Sequence, residues 1–137
     1  MGYRRELALS AEDTEYLDNA FPAWESIAQG SWLILPDFPL PDGYTVRFVT
    51  VAIQISAGYP FTPLDMAYFF PPVLRIDGTP IPATNCTQNI DGNTFQRWSR
   101  HYPPGTWRPD EDCIATHVMA IQSWLELASG ALDARAG

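Results

Sequence analysis

Residues 58–72, GYPFTPLDMAYFFPP, contain four of the thirteen prolines of the chain and five aromatic residues. Proline has no N–H group to donate and its φ angle is fixed, so a central strand cannot run through this segment. Five aromatic rings in fifteen residues are also more apolar surface than a solvated loop needs. We therefore predict a rigid corner that leads into a strand at residues 65–70, DMAYFF.

Residues 44–56, YTVRFVTVAIQIS, alternate in the manner of a strand. One face carries Val46, Phe48, Thr50, Ala52 and Gln54, and the other carries Val49, Val51, Ile53 and Ile55. Both faces are partly apolar, which is typical of a central strand. A second strand is predicted at residues 31–38, SWLILPDF, and the turn residues of LPDGY (40–44) separate the two strands.

Two segments have the features of helices. Residues 9–21 begin with Ser10, a preferred N-cap residue, and place Glu12 and Asp13 in the first turn, where carboxylates favour a helix N-terminus. Residues 110–129 place four apolar side chains on one helical face, namely Ile114, Val118, Ile121 and Leu125. A helix is therefore predicted near each end of the chain.

This order of elements predicts one α+β domain over residues 1–137, with a core at about 9–129 and a tail at 130–137. An N-terminal helix would precede an antiparallel meander of three to four strands, a long irregular loop and a C-terminal helix. The loop covers residues 73–109 and has no sustained apolar period. Because it carries four large aromatic residues, we expect it to be ordered and functional. These residues are Phe95, Trp98, Tyr102 and Trp107.

The charge and hydropathy of the chain exclude two classes of partner. Sixteen acidic residues face eight basic ones, a net charge of −8, and a nucleic-acid binder needs a clustered basic surface. The longest apolar runs, such as YFFPPVL at 68–74, are far shorter than the roughly 20 residues that span a membrane. The first residues contain no long apolar segment, so we predict a cytoplasmic protein that binds neither nucleic acid nor membranes.

Two cysteines differ in their surroundings. Cys86 lies in the polar stretch ATNCTQN, whereas Cys113 lies in the first turn of the C-terminal helix, where a packing role is more common. A nucleophilic thiol needs partial exposure, which favours Cys86. The spacing of Cys86, His101, Cys113 and His117 matches no compact zinc pattern, so no metal is predicted. His117, like Trp98 and Trp107, is interpreted as a packing residue.

Three blocks of the sequence resemble the ubiquitin-conjugating (UBC) superfamily. GYPFTPLDMAYFFPP (58–72) resembles the YPF.PP corner of that family and the strand after it. GTPIPATNC (78–86) resembles the approach to the active cysteine, and WRPDEDCIATHVMAIQSWL (107–125) resembles the end of the domain. The blocks LPDGY, LDMAYFFPP and FQRWSRHYPPGTWRP are similar to the bacterial branch. The resemblance covers about residues 31–127.

This resemblance implies a UBC-like fold and a specific activity. Cys86 would accept a ubiquitin-like protein as a thioester from an ATP-dependent activating enzyme and pass it to an amine. The chain itself would need no metal or cofactor, and a peptidase of the same operon is a further implied partner. The helix at 9–21 would contact the activating enzyme. The rings of Tyr59, Phe61, Phe69 and Phe70 would form a floor beneath the loop that carries Cys86; the alternative is an ordinary proline-rich connection.

The chain departs from the eukaryotic members in one respect, because LRIDGTPIP stands where their His-Pro-Asn tripeptide precedes the cysteine. Asn85 or Asn89 would then supply the amide that faces the oxyanion. His101 would polarise the incoming nucleophile or, alternatively, hold the loop by hydrogen bonds. Arg97 and Arg100 would pair with Asp77, Asp91 or the cargo. Thr84 and Thr87 are alternative acyl acceptors beside Cys86.

Two other functions remain open from the sequence. The missing tripeptide favours a non-catalytic UBC-fold module that binds ubiquitin-like proteins without a covalent step. A cysteine hydrolase that uses Cys86 and His101 is the second alternative, and it would act without the activating enzyme.

Overall fold

The computed structural model describes residues 2–129, and the predicted tail at 130–137 lies outside the described residues. The helices and strands follow one another as α1 (Ala11–Ala20), β1 (Glu25–Ile27), β2 (Trp32–Pro39), β3 (Phe48–Gln54), β4 (Ala67–Phe70), β5 (Cys86–Ile90), β6 (Asn93–Trp98) and α2 (Ile114–Ala128). The strands form one antiparallel sheet in the order β1-β2-β3-β4-β6-β5. The α+β class is confirmed, as are the two predicted helices. Neither of them is long and apolar enough to cross a membrane.

The predicted number of strands, three to four, was too low. The described residues form six strands. The hairpin of β5 and β6 lies inside the segment 73–109 that was predicted to be irregular. Strand β5 reads CTQNI and buries only its last residue, so it has no apolar alternation to detect. The turn between the strands is Asp91-Gly92, with φ angles of 52° and 83°. An Asp-Gly pair of this kind is a hairpin signal that the sequence did contain.

The two faces of the sheet are both partly buried. The larger core lies between the helices and one face, and it includes Leu33, Val51, Ile53, Phe69, Trp98, Val118, Ile121 and Leu125. A smaller cluster lies on the other face and comprises Ile27, Trp32, Ile34, Ala52, Tyr68, Ile90 and Phe95. Strand β3 contributes to both clusters, as the two apolar faces of its sequence predicted.

Tyr59 joins the two helices. Helix α1 begins after Ser10, whose hydroxyl accepts a hydrogen bond from the Asp13 N–H at 3.0 Å. The Tyr59 hydroxyl donates to the Asp13 carboxylate and accepts from the Ile114 N–H, each at 2.8 Å. The first turn of α1 and the start of α2 are therefore held by one side chain from the proline-rich corner.

The expected aromatic floor is wrong as a single layer. Phe69 packs on Trp98 with ring centres 6.0 Å apart, and Phe70 packs on Phe95 at 5.5 Å, from the other face of the sheet. Tyr59 instead lies at the helix termini, and Phe61 is 79% exposed. Consecutive residues of a strand point to opposite faces, so Phe69 and Phe70 contact β6 from opposite sides of the sheet. Two of the four rings thus support the β5–β6 hairpin.

Candidate active site

Cys86 is the first residue of β5, an edge strand that pairs only with β6 in the sheet. The expectation that it lies in an irregular loop is therefore corrected. Cys86 is directly opposite Arg97 of β6, and Arg97 is directly opposite Tyr68 of β4. Residues paired in this way point to the same face of the sheet with Cβ atoms about 5 Å apart. The three side chains form a row, and the thiol at its end is half-buried.

Arg97 has no ionic partner in this row. Its Nε atom is buried, and within residues 2–129 it meets no hydrogen-bond acceptor. The predicted pairing of Arg97 or Arg100 with Asp77 or Asp91 is wrong. Arg4 binds Asp91 at 2.7 Å, at the tip of the hairpin, and Thr79 donates to Asp77. The guanidinium of Arg100 lies over aromatic rings instead: those of Trp98 and Trp124, at 5.6 and 5.0 Å.

Tyr68 is the third member of the row and is only 3% exposed. Its ring meets Trp32 edge-on with centroids 4.9 Å apart. In the described part of the chain its hydroxyl forms no hydrogen bond. Burial raises the pKa of Tyr68, the charge of Arg97 opposes that rise and the charge of Asp65 adds to it. Within residues 2–129, Arg97 and Tyr68 therefore each carry a polar atom without a hydrogen-bond partner, and that of Arg97 is the buried one.

The structure separates the polar residues suggested around Cys86. Asn85 is exposed and immediately precedes the thiol, and its amide has no hydrogen-bond partner among residues 2–129. Asn89 and Thr87 point to the other face, because they lie an odd number of residues from Cys86 on the same strand. The Thr84 hydroxyl donates to the Ile81 carbonyl at 2.7 Å. Of the two amides, only that of Asn85 belongs to a residue next to Cys86 in the sequence.

His101 follows β6 and is held by Asp65. Its Nδ1 atom lies 2.8 Å from both carboxylate oxygens of Asp65, which sequence patterns did not identify because it is 36 residues away. Across residues 2–129, no hydrogen bond links His101 to Cys86. This geometry matches the alternative in which His101 fastens the loop that follows β6.

Cys113 and the nominal metal ligands are placed elsewhere. Cys113 is the N-cap residue of α2, and its N–H donates to the Thr116 hydroxyl at 2.9 Å. Among the described residues, no three His, Cys, Asp or Glu side chains come close enough to hold a metal ion.

His117 is fully buried in α2 and is hydrogen-bonded at both ring nitrogens. Its Nε2 atom lies 2.9 Å from the Met66 carbonyl, and its Nδ1 atom lies 2.5 Å from the Tyr102 hydroxyl. A neutral ring therefore donates from Nε2 and accepts at Nδ1. Burial lowers the pKa of His117, while the Met66 carbonyl and the Asp65 charge oppose that shift. The packing role predicted for His117 agrees with this environment.

We expect this histidine to make the fold sensitive to acid. The unfolded chain binds a proton at His117 as the pH falls through about 6.5, whereas the folded chain binds it only at lower pH. The free energy of unfolding should therefore be unaffected by His117 above about pH 6.5 and decrease below it. Urea titrations of the unmodified chain and of His117→Gln across pH 5 to 8 measure this decrease. The exposed His101→Gln variant is the matched control and should retain it; a decrease that persists in His117→Gln contradicts the assignment.

Comparison with known proteins gives one match. A sequence model of the family described as "Prokaryotic E2 family E" matches residues 9–128, which include both helices and all six strands. No curated protein and no solved structure matches the chain.

Proposed function

Because the chain belongs to prokaryotic E2 family E, a family of ubiquitin-conjugating-like proteins, we propose that Cys86 accepts a bacterial ubiquitin-like protein as a thioester. Family membership implies a ubiquitin-like protein and an activating enzyme as partners. The proposal adds that the cargo passes from Cys86 to an amine and that a peptidase of the same operon acts in the pathway. The two helices and the antiparallel sheet support a UBC-like layout for the domain.

The observation that carries this proposal is the position of Cys86. Its thiol is half-buried on an edge strand, beside an arginine with no ion-pair partner in the described part of the chain. A thiol that takes cargo from one protein and gives it to another must be reachable from outside, and a half-buried position on an edge strand allows this. Cys113 is the N-cap residue at the start of α2 and has no basic side chain among its hydrogen-bond partners.

The proposed reaction has two halves, loading and transfer, and in each a bond to the carbonyl carbon forms as a C–S bond breaks. In loading, the Cys86 thiolate attacks the thioester carbonyl of the cargo on the activating enzyme, a new C–S bond forms and the enzyme's thiolate leaves. In transfer, an amine nitrogen attacks the carbonyl carbon, the C–S bond to Cys86 breaks and the amine proton is released to solvent. The products are an amide, the free Cys86 thiolate and the proton taken up by solvent.

A reconstituted reaction tests the proposal. The chain is mixed with the activating enzyme, the ubiquitin-like protein and ATP, and the products are separated with and without reductant. We expect a covalent species that reductant removes, that Cys86→Ala abolishes completely and that the matched control Cys113→Ala retains. An unchanged adduct in Cys86→Ala contradicts the proposal.

A non-catalytic binding module is the second candidate function. The observation that favours it is the pairing of His101 with Asp65, which leaves Cys86 without a hydrogen-bonded base within residues 2–129. The same observation argues against the cysteine hydrolase, which requires the Cys86–His101 contact. Binding of the ubiquitin-like protein with no covalent species at any time would support the binding module.

A further inference from the structure

We propose that Arg97 is the group that stabilises the oxyanion when the thioester on Cys86 is formed and discharged. This inference rests on the proposed function and adds a catalytic residue to it. An acyl transfer passes through a tetrahedral intermediate whose carbonyl oxygen becomes negatively charged, and a donor fixed beside that oxygen lowers the barrier. The donor must lie next to the sulfur, carry hydrogen atoms that no protein group uses, and be held in place by its surroundings.

The strand register places Arg97 next to the sulfur. Cys86 and Arg97 are direct partners across β5 and β6, so their side chains leave the sheet on the same face. An arginine side chain is long enough to extend past its cross-strand neighbour toward a group bonded to that neighbour's sulfur. Thr87 and Gln96, the next pair along the same strands, point to the opposite face and cannot serve this role.

The hydrogen-bonding state of the row indicates a missing ligand. A buried polar atom without a partner is destabilising, so such atoms are rare in folded proteins. Here the buried Nε atom of Arg97 has no partner in the described part of the chain. The neighbouring Tyr68 is only 3% exposed, and its hydroxyl forms no hydrogen bond within residues 2–129, although that oxygen is not fully buried as the Arg97 Nε atom is. A buried, unpaired donor in the same row as Cys86 fits an anionic oxygen that appears only during the reaction.

The surroundings also hold Arg97 in place. Its strand lies between β4 and β5, so its backbone is paired on both sides. The next residue, Trp98, is buried in the main core. Other nearby arginines are engaged: Arg4 binds Glu25 and Asp91, and Arg100 lies over two tryptophan rings. Of the three arginines described near this hairpin, Arg97 is therefore the one without an ionic or ring partner within residues 2–129.

The role of Arg97 in transfer can be written bond by bond. As the amine nitrogen forms its bond to the carbonyl carbon, the pair of electrons of the C=O bond moves onto the oxygen. The guanidinium donates a hydrogen bond to that oxygen and remains protonated throughout. The C=O bond then reforms, the C–S bond breaks, the Cys86 thiolate leaves and the amine proton passes to solvent. Arg97 accepts and releases no proton, so its contribution is electrostatic.

Single-turnover discharge of the loaded chain tests this role. The chain is loaded in the Cys113→Ala background, the activating enzyme is then blocked, and loss of thioester is followed at increasing concentrations of a small primary amine. In Arg97→Met the maximal rate of discharge should fall roughly a hundredfold, the loss typical of a removed oxyanion donor, at an unchanged half-saturating amine concentration. Arg97→Lys keeps a cationic donor and should recover part of the rate. The matched control is Arg47→Met, which changes an exposed arginine and should discharge at the unmodified rate.

The outcomes separate this inference from the proposed function. If the unmodified chain forms no thioester, both are contradicted. If it does, but Arg97→Met discharges as fast as the unmodified chain, or Arg97→Lys is as slow as Arg97→Met, the role of Arg97 alone is contradicted. Circular dichroism of each variant checks the fold. Should Arg97→Met not fold, Arg97→Leu replaces it, since it keeps an apolar stem and carries no hydrogen-bond donor, and the same comparison with Arg97→Lys decides the outcome.

Discussion

Trp98→Ala is expected to lower the free energy of unfolding by about 3–5 kcal/mol, a large share of the stability of a small domain. Trp98 is 2% exposed and lies within ring contact of Phe69 at 6.0 Å and Trp124 at 6.3 Å. It also ends β6, the strand that carries Arg97. Truncation would therefore leave a cavity where the hairpin joins the main core, and the site would lose its support together with the fold.

Urea denaturation followed by tryptophan fluorescence and circular dichroism measures this loss. The matched control is Phe61→Ala, which removes an aromatic ring that is 79% exposed and should change stability by no more than about 0.5 kcal/mol. Similar midpoints for the two variants would show that Trp98 does not anchor the hairpin.

Gly43→Ala is expected to cost more than about 2 kcal/mol, since two effects act together. The φ angle of Gly43 is +110°, which side chains rarely adopt, and an added Cβ would lie 2.3 Å from the Ser129 carbonyl oxygen. The turn at residues 40–44 thus packs directly against the end of α2. Nearby, the Tyr44 hydroxyl donates to the Leu125 carbonyl at 2.6 Å. Burial raises the pKa of Tyr44 to about 12.

Gly78→Ala separates these two effects. Gly78 also has a positive φ, +78°, but an added Cβ meets nothing within 4 Å, so only the backbone strain of about 1–2 kcal/mol applies. The difference between the unfolding free energies of the two variants measures the clash with α2. Equal losses in Gly43→Ala and Gly78→Ala would contradict the close approach of Gly43 to Ser129.

Sequence patterns predicted the elements whose burial is periodic. Strand β3 alternates on two apolar faces, and α2 repeats its apolar residues along one face, so each pattern reports directly on packing. Strand β5 lies at the sheet edge with a polar sequence, and β1 has three residues. Neither strand has enough periodic burial to be recognised from the sequence. The sequence therefore predicted three to four strands, whereas the described residues form six.

The residues that surround Cys86 were harder to predict than Cys86 itself. Cys86 stood out because its sequence neighbours are polar and resemble an active-site segment. Its cross-strand partner Arg97 depends on the register of two strands, which no pattern in either strand encodes. The pairing of Asp65 with His101 and the burial of the rings around the corner likewise depend on which distant segments meet in three dimensions.

Peptide mapping of the loaded chain identifies the residue that carries the ubiquitin-like protein. After loading, the protein is kept at acidic pH without reductant, cleaved after arginine and examined by mass spectrometry. The account predicts that the C-terminal residues of the ubiquitin-like protein are attached to the peptide spanning residues 76–97, which contains Cys86, and that hydroxylamine removes them. Attachment at Cys113 or at a threonine, with the peptide of Cys86 unmodified, would contradict it.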